Sequence, residues 1–201
     1  MLLFGIEGSG KTTLACKLAK FSQVTYTKMI TSESLIGMIE YAKIKIIKEI
    51  FTNAYKSKVS MIIIDDIERL LEYVHVGSRF NNNVLQCFLT YLKMPPEKNG
   101  HKLIIVGTTS KKEVVKELGI WDCFNLKVNI PSLKGNGEIQ NALAQMIPGA
   151  NLSSLTIDKS YNIPVKSLYF IANVINQKLT ENPDADVDKV FLEILSQTEM
   201  Q

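Results

Sequence analysis

One stretch constrains this chain more than any other. Gly5-Ile6-Glu7-Gly8-Ser9-Gly10-Lys11-Thr12 satisfies every defined position of the pattern G-x-x-x-x-G-K-[ST]. It lies between an apolar run, Met1 to Phe4, and a segment where Leu14, Ala15, Leu18 and Ala19 recur at helical spacing. A strand that turns through glycines into a helix aims backbone N–H groups and the helix's positive end at one concavity. Such a concavity holds a phosphate chain. Lys11 then offers a point charge to the outer phosphates and the Thr12 hydroxyl a ligand to Mg²⁺, with Glu7, Gly8, Ser9, Gly10, Thr13 and Leu14 completing the cradle.

The feeding strand must be buried, and the following residues supply its neighbours. Val24 to Ile30 reads as a strand. Ser32 and Ser34 precede a long helix through Ile44, Ile47, Phe51 and Ala54, after a loop at Ile36-Gly37-Met38. Val59 to Ile64 and Leu103 to Val106 are continuously apolar, the pattern of strands covered on both faces. Leu85, Phe88, Leu89 and Leu92 mark a helix that Pro95-Pro96 ends, Lys111 to Leu118 a short helix closed by Gly119, and Leu126 to Ile130 a last strand. Alternation of this kind predicts a doubly wound parallel α/β sheet. Beyond Pro131 only helical periodicity remains, over Ile139 to Ile147, Val165 to Leu179 and Val187 to Leu195. The expected organisation is an α/β nucleotide-binding domain over 1–130 and a small all-helical lid over 131–201, with Asn81-Asn82-Asn83 and Gly135-Asn136-Gly137 as surface loops.

Composition narrows the function classes. With 201 residues, 46% apolar and 21% charged, the chain can bury a sizeable core and is not disordered. A net charge of +3 gives no basis for a nucleic-acid or membrane-surface partner, and no apolar stretch approaches the ~20 residues of a spanning helix. Cys16, Cys87 and Cys123 are too widely spaced to pair on a metal and fit a reducing compartment, and no secretory leader is evident.

Three further groups bear on chemistry. Asp65-Asp66 ends the Val59 to Ile64 strand, so Asp65 is placed to hold Mg²⁺. The strand Val24 to Ile30 between the phosphate loop and this pair resembles the layout of the additional-strand ATPase group. That resemblance implies that the acid just after the Mg²⁺ ligand, here Asp66, polarises the attacking water. Asp66 is one methylene shorter than a glutamate there, and a misplacement of ~1 Å can cost ~10²-fold in rate. Thr109 and Ser110 end the next strand, where either can position the water; Ser110 is equally an N-cap for the helix that follows. Lys166 opens the long C-terminal helix, where the residue pattern alone reads as a solvated face.

In this order the elements resemble an AAA+ ATPase domain, a P-loop fold, and more closely the second ATPase domain of the N-ethylmaleimide-sensitive fusion ATPase family. The likeness runs over essentially the whole chain and is carried by Ala54-Tyr55-Lys56-Ser57, Ile64-Asp65-Asp66-Ile67-Glu68-Arg69-Leu70-Leu71, Gly77-Ser78-Arg79-Phe80, Asn83-Val84-Leu85-Gln86 and Gly107-Thr108-Thr109-Ser110. The resemblance implies a homo-hexamer that works with SNAP adaptors to disassemble SNARE complexes, in the cytoplasm and peripheral to vesicle and organelle membranes. It also implies a domain that binds ATP with Mg²⁺ tightly, hydrolyses it poorly and holds protomers together. Lys166 falls at the family's phosphate-sensing position, although the family has a glycine where this chain has Pro164. Ile36-Gly37-Met38 falls at its pore-facing loop. Lys93 and Lys102 resemble lysines that reach the adjacent subunit's nucleotide. Arg69 and Arg79 are the only arginines, so the finger that normally follows the sensor strand is missing; such a finger can be worth ~10³–10⁵ in rate. A chain that enters its phosphate loop after four residues reads as part of a longer ATPase, without the upstream adenine contacts. The alternatives are an actively hydrolysing AAA+ motor domain and a P-loop small-molecule kinase. The kinase needs lid arginines, and a GTPase is disfavoured by the lack of N-K-x-D.

Overall fold

A computed structural model describes residues 1–75, 77, 79–96, 100–147, 161–182 and 187–197. In chain order, β1 (Leu2–Phe4) leads into α1 (Lys11–Ser22) and β2 (Tyr26–Ile30). A 3-10 turn at Glu33–Leu35 precedes α2 (Glu40–Lys56), β3 (Val59–Ile64), α3 (Ile67–Leu70) and α4 (Asn82–Lys93). Next come β4 (Lys102–Thr109), α5 (Lys112–Glu117), a second 3-10 turn at Trp121–Cys123 and β5 (Lys127–Asn129). The remainder is β6 (Leu133–Lys134), α6 (Gly135–Met146), β7 (Asn162–Ile163), α7 (Val165–Glu181) and α8 (Val187–Gln197).

Five strands form one sheet in the order β2-β3-β4-β1-β5, every neighbouring pair parallel. Because successive side chains point to opposite faces, a run such as Met61-Ile62-Ile63-Ile64 must be apolar throughout to serve both. Leu2, Ile62 and Ile64 join Phe51, Phe88 and Phe124 on one face, while Leu3, Met61, Ile63 and Val106 pack with Ala15 of α1 on the other. Each such side chain, once buried, stabilises the fold by about 1.5–3 kcal/mol. Sheet order brings the carboxyl ends of β1, β3 and β4 together, which is where an open α/β sheet offers its ligand crevice.

Gly107 sits at the tightest point of this core. Paired with Leu2 on one side and Ile64 on the other, it has no room for a side chain. A Cβ there would lie 2.8 Å from Phe124 Cζ, 2.9 Å from Ile67 Cδ1 and 3.1 Å from Leu2 Cδ1.

The chain divides into two compact units. The first comprises Met1–Gly5 with Lys11–Ile130, the second Ile6–Gly10 with the described part of Pro131–Gln201. The second unit has its own core, in which Ile139 and Leu143 of α6, Leu168 and Ile171 of α7 and Phe191 of α8 are buried. It also contains a short antiparallel pair, β6 with β7, that helical periodicity alone did not reveal.

Two expected loops are helix starts instead. Asn81 caps α4, its side-chain oxygen accepting from Val84 N–H at 3.0 Å, and Asn82 and Asn83 lie in the first turn. Such capping is what Asn does best at a helix N-terminus. Gly135-Asn136-Gly137 opens α6, with Gly135 in the left-handed region at φ 69°. The helix expected from Lys111 begins at Lys112, and Lys111 rather than Ser110 takes the cap position, without a side-chain bond.

Candidate functional site

In the first unit the carboxyl ends of β3 and β4 face the first turn of α1. Thr12 Oγ1 donates to Asp65 Oδ1 at 2.8 Å, and Thr108 Oγ1 donates to the same oxygen at 2.7 Å. Thr108 Oγ1 in turn accepts from the Asp66 N–H at 2.8 Å. The Thr108 hydroxyl therefore fixes both aspartates, one through its side chain and one through its backbone. Lys11 is buried, and its Nζ donates to Gly5 O at 3.1 Å.

Asp66 adopts a left-handed conformation, φ 47° and ψ 64°, at the N-cap of α3. An Asp tolerates that region better than most residues. Burial, followed by the neighbouring carboxylates of Asp65 and Glu68, holds its carboxyl above the ordinary carboxylate range, while Arg69 and Lys11 pull the other way. Arg69 Nε lies 3.7 Å from Asp66 Oδ2, a long and solvated pairing.

Glu68 is the buried carboxylate of this group. It accepts from Thr109 Oγ1 at 2.7 Å and from Ser110 N–H at 2.8 Å, and Thr109 Oγ1 accepts from Lys111 N–H at 3.0 Å. Burying a polar group costs stability unless it is hydrogen-bonded, and both Glu68 carboxylate oxygens are engaged here. The turn that follows β4 is thus tied to α3.

In the second unit the loop Ile6–Gly10 meets the start of α7. Lys166 N–H donates to Gly8 O at 2.9 Å. Gly8 has φ 76°, and a Cβ added there would come within 3.2 Å of Lys166 Cβ and 3.3 Å of Pro164 Cβ. Pro164 takes the N-cap position and Val165 begins the helix, so proline in place of glycine leaves the helix start intact. Ser9 is buried, with its Oγ making no hydrogen bond to the described residues, while Glu7 and the Lys166 side chain are exposed.

Of the residues singled out from sequence, Lys11, Thr12, Asp65 and Asp66 converge, with Ser110 joined to them through Glu68. Thr13 is exposed and Leu14 packs beside Leu3 and Val106. Lys102 does not reach this group: it starts β4, whose opposite end carries Thr108 and Thr109. Lys93 ends α4 close to Cys123, where its charge opposes the rise that burial gives that thiol. Gly77-Ser78-Arg79-Phe80 lies partly outside the described residues, because Ser78 does. Sequence reasoning missed Thr108 and Glu68. Thr108 left a trace, a polar residue beside Gly107 and Thr109 in the buried end of a strand, whereas Glu68, in α3 next to exposed Arg69, left none.

The family model of the ATPase family associated with various cellular activities (AAA) matches residues 1–132. The chain belongs to the AAA ATPase family. As an AAA domain it is 39% identical over 146 residues to the vesicle-fusing ATPase of Dictyostelium discoideum, covering 73% of this chain and 20% of that protein. It is 38% identical over 181 residues to the vesicle-fusing ATPase of Arabidopsis thaliana, with 88% and 24% covered. Against the vesicular-fusion protein sec18 of Schizosaccharomyces pombe it is 30% identical over 206 residues, with 98% and 25% covered. This AAA domain therefore spans a fifth to a quarter of the relatives' length.

The donor chemistry suits the nucleotide and metal that an AAA domain implies. A threonine hydroxyl and one carboxylate are hard oxygen ligands in the number Mg²⁺ takes from a protein when phosphates and waters supply the rest. No helix among the described residues is long and apolar enough to cross a membrane.

Proposed function

We propose that this domain binds ATP with Mg²⁺ and uses the bound nucleotide mainly to hold protomers of a hexameric vesicle-fusing ATPase together. One observation carries the reading: Thr12 and Asp65, distant in sequence, meet at 2.8 Å beside buried Lys11. In this assignment residues 1–130 are the nucleotide-binding domain and 131–201 its lid. Lys11 binds the outer phosphates, Thr12 and Asp65 hold the metal, and Glu7, Gly8, Ser9, Gly10, Thr13 and Leu14 line the phosphate cradle. The Lys166 side chain senses phosphate, supported by the bond from its N–H to Gly8. Mg²⁺ supplies charge neutralisation on the phosphates when bound.

Hydrolysis is slow in this assignment. Asp66 is the base and Ser110 orients the water, but Asp66 is short, and no arginine follows Arg79 to stabilise developing charge. Lys93 and Lys102 are the candidates to reach a neighbouring subunit. The vesicle-fusing relatives support a place in membrane traffic, acting on SNARE complexes with SNAP adaptors through the longer protein, in the cytoplasm and peripheral to membranes. Sedimentation with and without saturating ATP and Mg²⁺ tests the reading. Nucleotide-dependent assembly with negligible turnover supports it. Turnover near 1 s⁻¹ or above favours the motor reading, and a chain that stays monomeric with ATP bound refutes the scaffold role.

A further inference from the structure

On the first unit, away from the nucleotide residues, a groove of about 680 Å³ runs between α2 and α4. Ile44, Tyr55, Cys87, Tyr91 and Met94 contribute to its walls, and Tyr91 stacks on Phe51 at 4.7 Å between ring centroids. Tyr55 OH donates to Met94 O at 3.3 Å across the two helices' C-terminal ends. No Asp or Glu occurs among the described residues that line it.

Lysines border this groove. Lys48 and Lys56 line it, and Lys45 joins them in a second hollow of about 550 Å³ that shares Ile44, Lys48, Thr52 and Lys56. Glu49 is the one carboxylate among the described residues of that hollow. Tyr41, Lys45, Lys48, Thr52 and Lys56 succeed each other at intervals of three or four residues, so they form one stripe along α2. The ion pairs among the described residues engage none of these three lysines. Lys45 and Lys48, three residues apart on one helix, repel each other, and an apolar trough beside them is open to water.

We propose that this groove docks an amphipathic, acidic helix of a protein partner. Two helices side by side offer the ridges and grooves that a third helix packs into, with apolar anchors at i, i+3, i+4 and i+7 over the trough. Acidic residues flanking those anchors meet Lys45, Lys48 and Lys56, relieving the repulsion between Lys45 and Lys48 and steering the encounter. The apolar surface is recessed between helices. A helix can enter such a trough; a bilayer surface meets only its rims.

The test uses the chain as it stands and a fluorescein-labelled helical peptide of about 16 residues, four turns long, with leucines on one face and glutamates beside them. Anisotropy should report a Kd of about 10 µM, weakened at least about tenfold by Lys45→Glu/Lys48→Glu/Lys56→Glu and by added salt. Thr90→Trp, at an exposed position lining the groove, should block binding sterically while leaving ATP affinity unchanged. Equal affinity for a peptide with lysines in place of the glutamates, or undiminished binding to both variants, overturns the proposal. So does capture by phosphatidylserine vesicles in place of the peptide, which assigns the stripe to a bilayer. Self-association of the parent chain that Thr90→Trp abolishes overturns it as well, since the occupant is then a second copy.

Discussion

Replacing Gly107 by alanine adds one methyl group where the structure leaves no space for it. The new Cβ falls 2.8, 2.9 and 3.1 Å from side-chain carbons of Phe124, Ile67 and Leu2, which are 3%, 2% and 0% exposed. None of the three can swing into solvent, and β4 is held by parallel pairing to β1 and β3 on either side. Overpacking of this kind costs about 1–3 kcal/mol. In a chain of this size each kcal/mol lowers Tm by about 2–4 °C, so the variant should melt about 2–12 °C below the parent. Trp121, the only tryptophan, packs edge-on against Phe4 at 5.2 Å in the same unit, so its fluorescence follows this unit's unfolding in urea. Strain relieved through Ile67 also displaces Asp66, the residue before it, so affinity for a fluorescent ATP analogue should fall in parallel. Gly137→Ala is the control, with nothing within 4 Å of its added Cβ. A Gly107→Ala protein within about 0.5 kcal/mol of the parent, below the overpacking range, refutes the close packing of β4 against α3.

Thr12→Val keeps the shape and removes the hydroxyl that donates to Asp65, so Mg²⁺-dependent ATP affinity should drop at least about tenfold while Mg²⁺-free binding changes little; paired titrations decide it. Asp66→Asn should stabilise the fold at pH 7. The folded-state carboxyl binds its proton more tightly than the unfolded one, so its charge costs stability as pH rises from the ordinary carboxylate value through the folded one. The gain should therefore vanish in melts run below that range, and Asn accepts the left-handed backbone. Glu68→Leu strands the Thr109 hydroxyl and the Ser110 N–H without their acceptor, at about 1–3 kcal/mol for each group. Glu68→Gln, which keeps one acceptor oxygen, should cost less in thermal melts.

Much of the fold and site is legible in sequence. The phosphate loop, the two-faced strands and the Asp65-Asp66 pair can be read because each is a local pattern imposed by one physical requirement: a turn, two covered faces, a carboxylate at a strand end. Thr108 and Glu68 escape such reading because their roles are non-local. Nothing near Glu68 in sequence indicates that its carboxylate will meet an amide beyond the next strand. Ser110 fails as a helix cap because the helix after β4 starts one residue later than its periodicity suggests. The asparagine run becomes a helix start because polarity alone does not separate a cap from a loop.

The bond from Lys166 N–H to Gly8 O joins residues far apart in the order of synthesis. During translation the glycine loop emerges well before its neighbours in the second unit, which begin at Pro131. Pairings between such distant positions form late and slowly. The phosphate loop therefore gains its final packing only after Lys166 has been made, and products truncated before that residue are left without it.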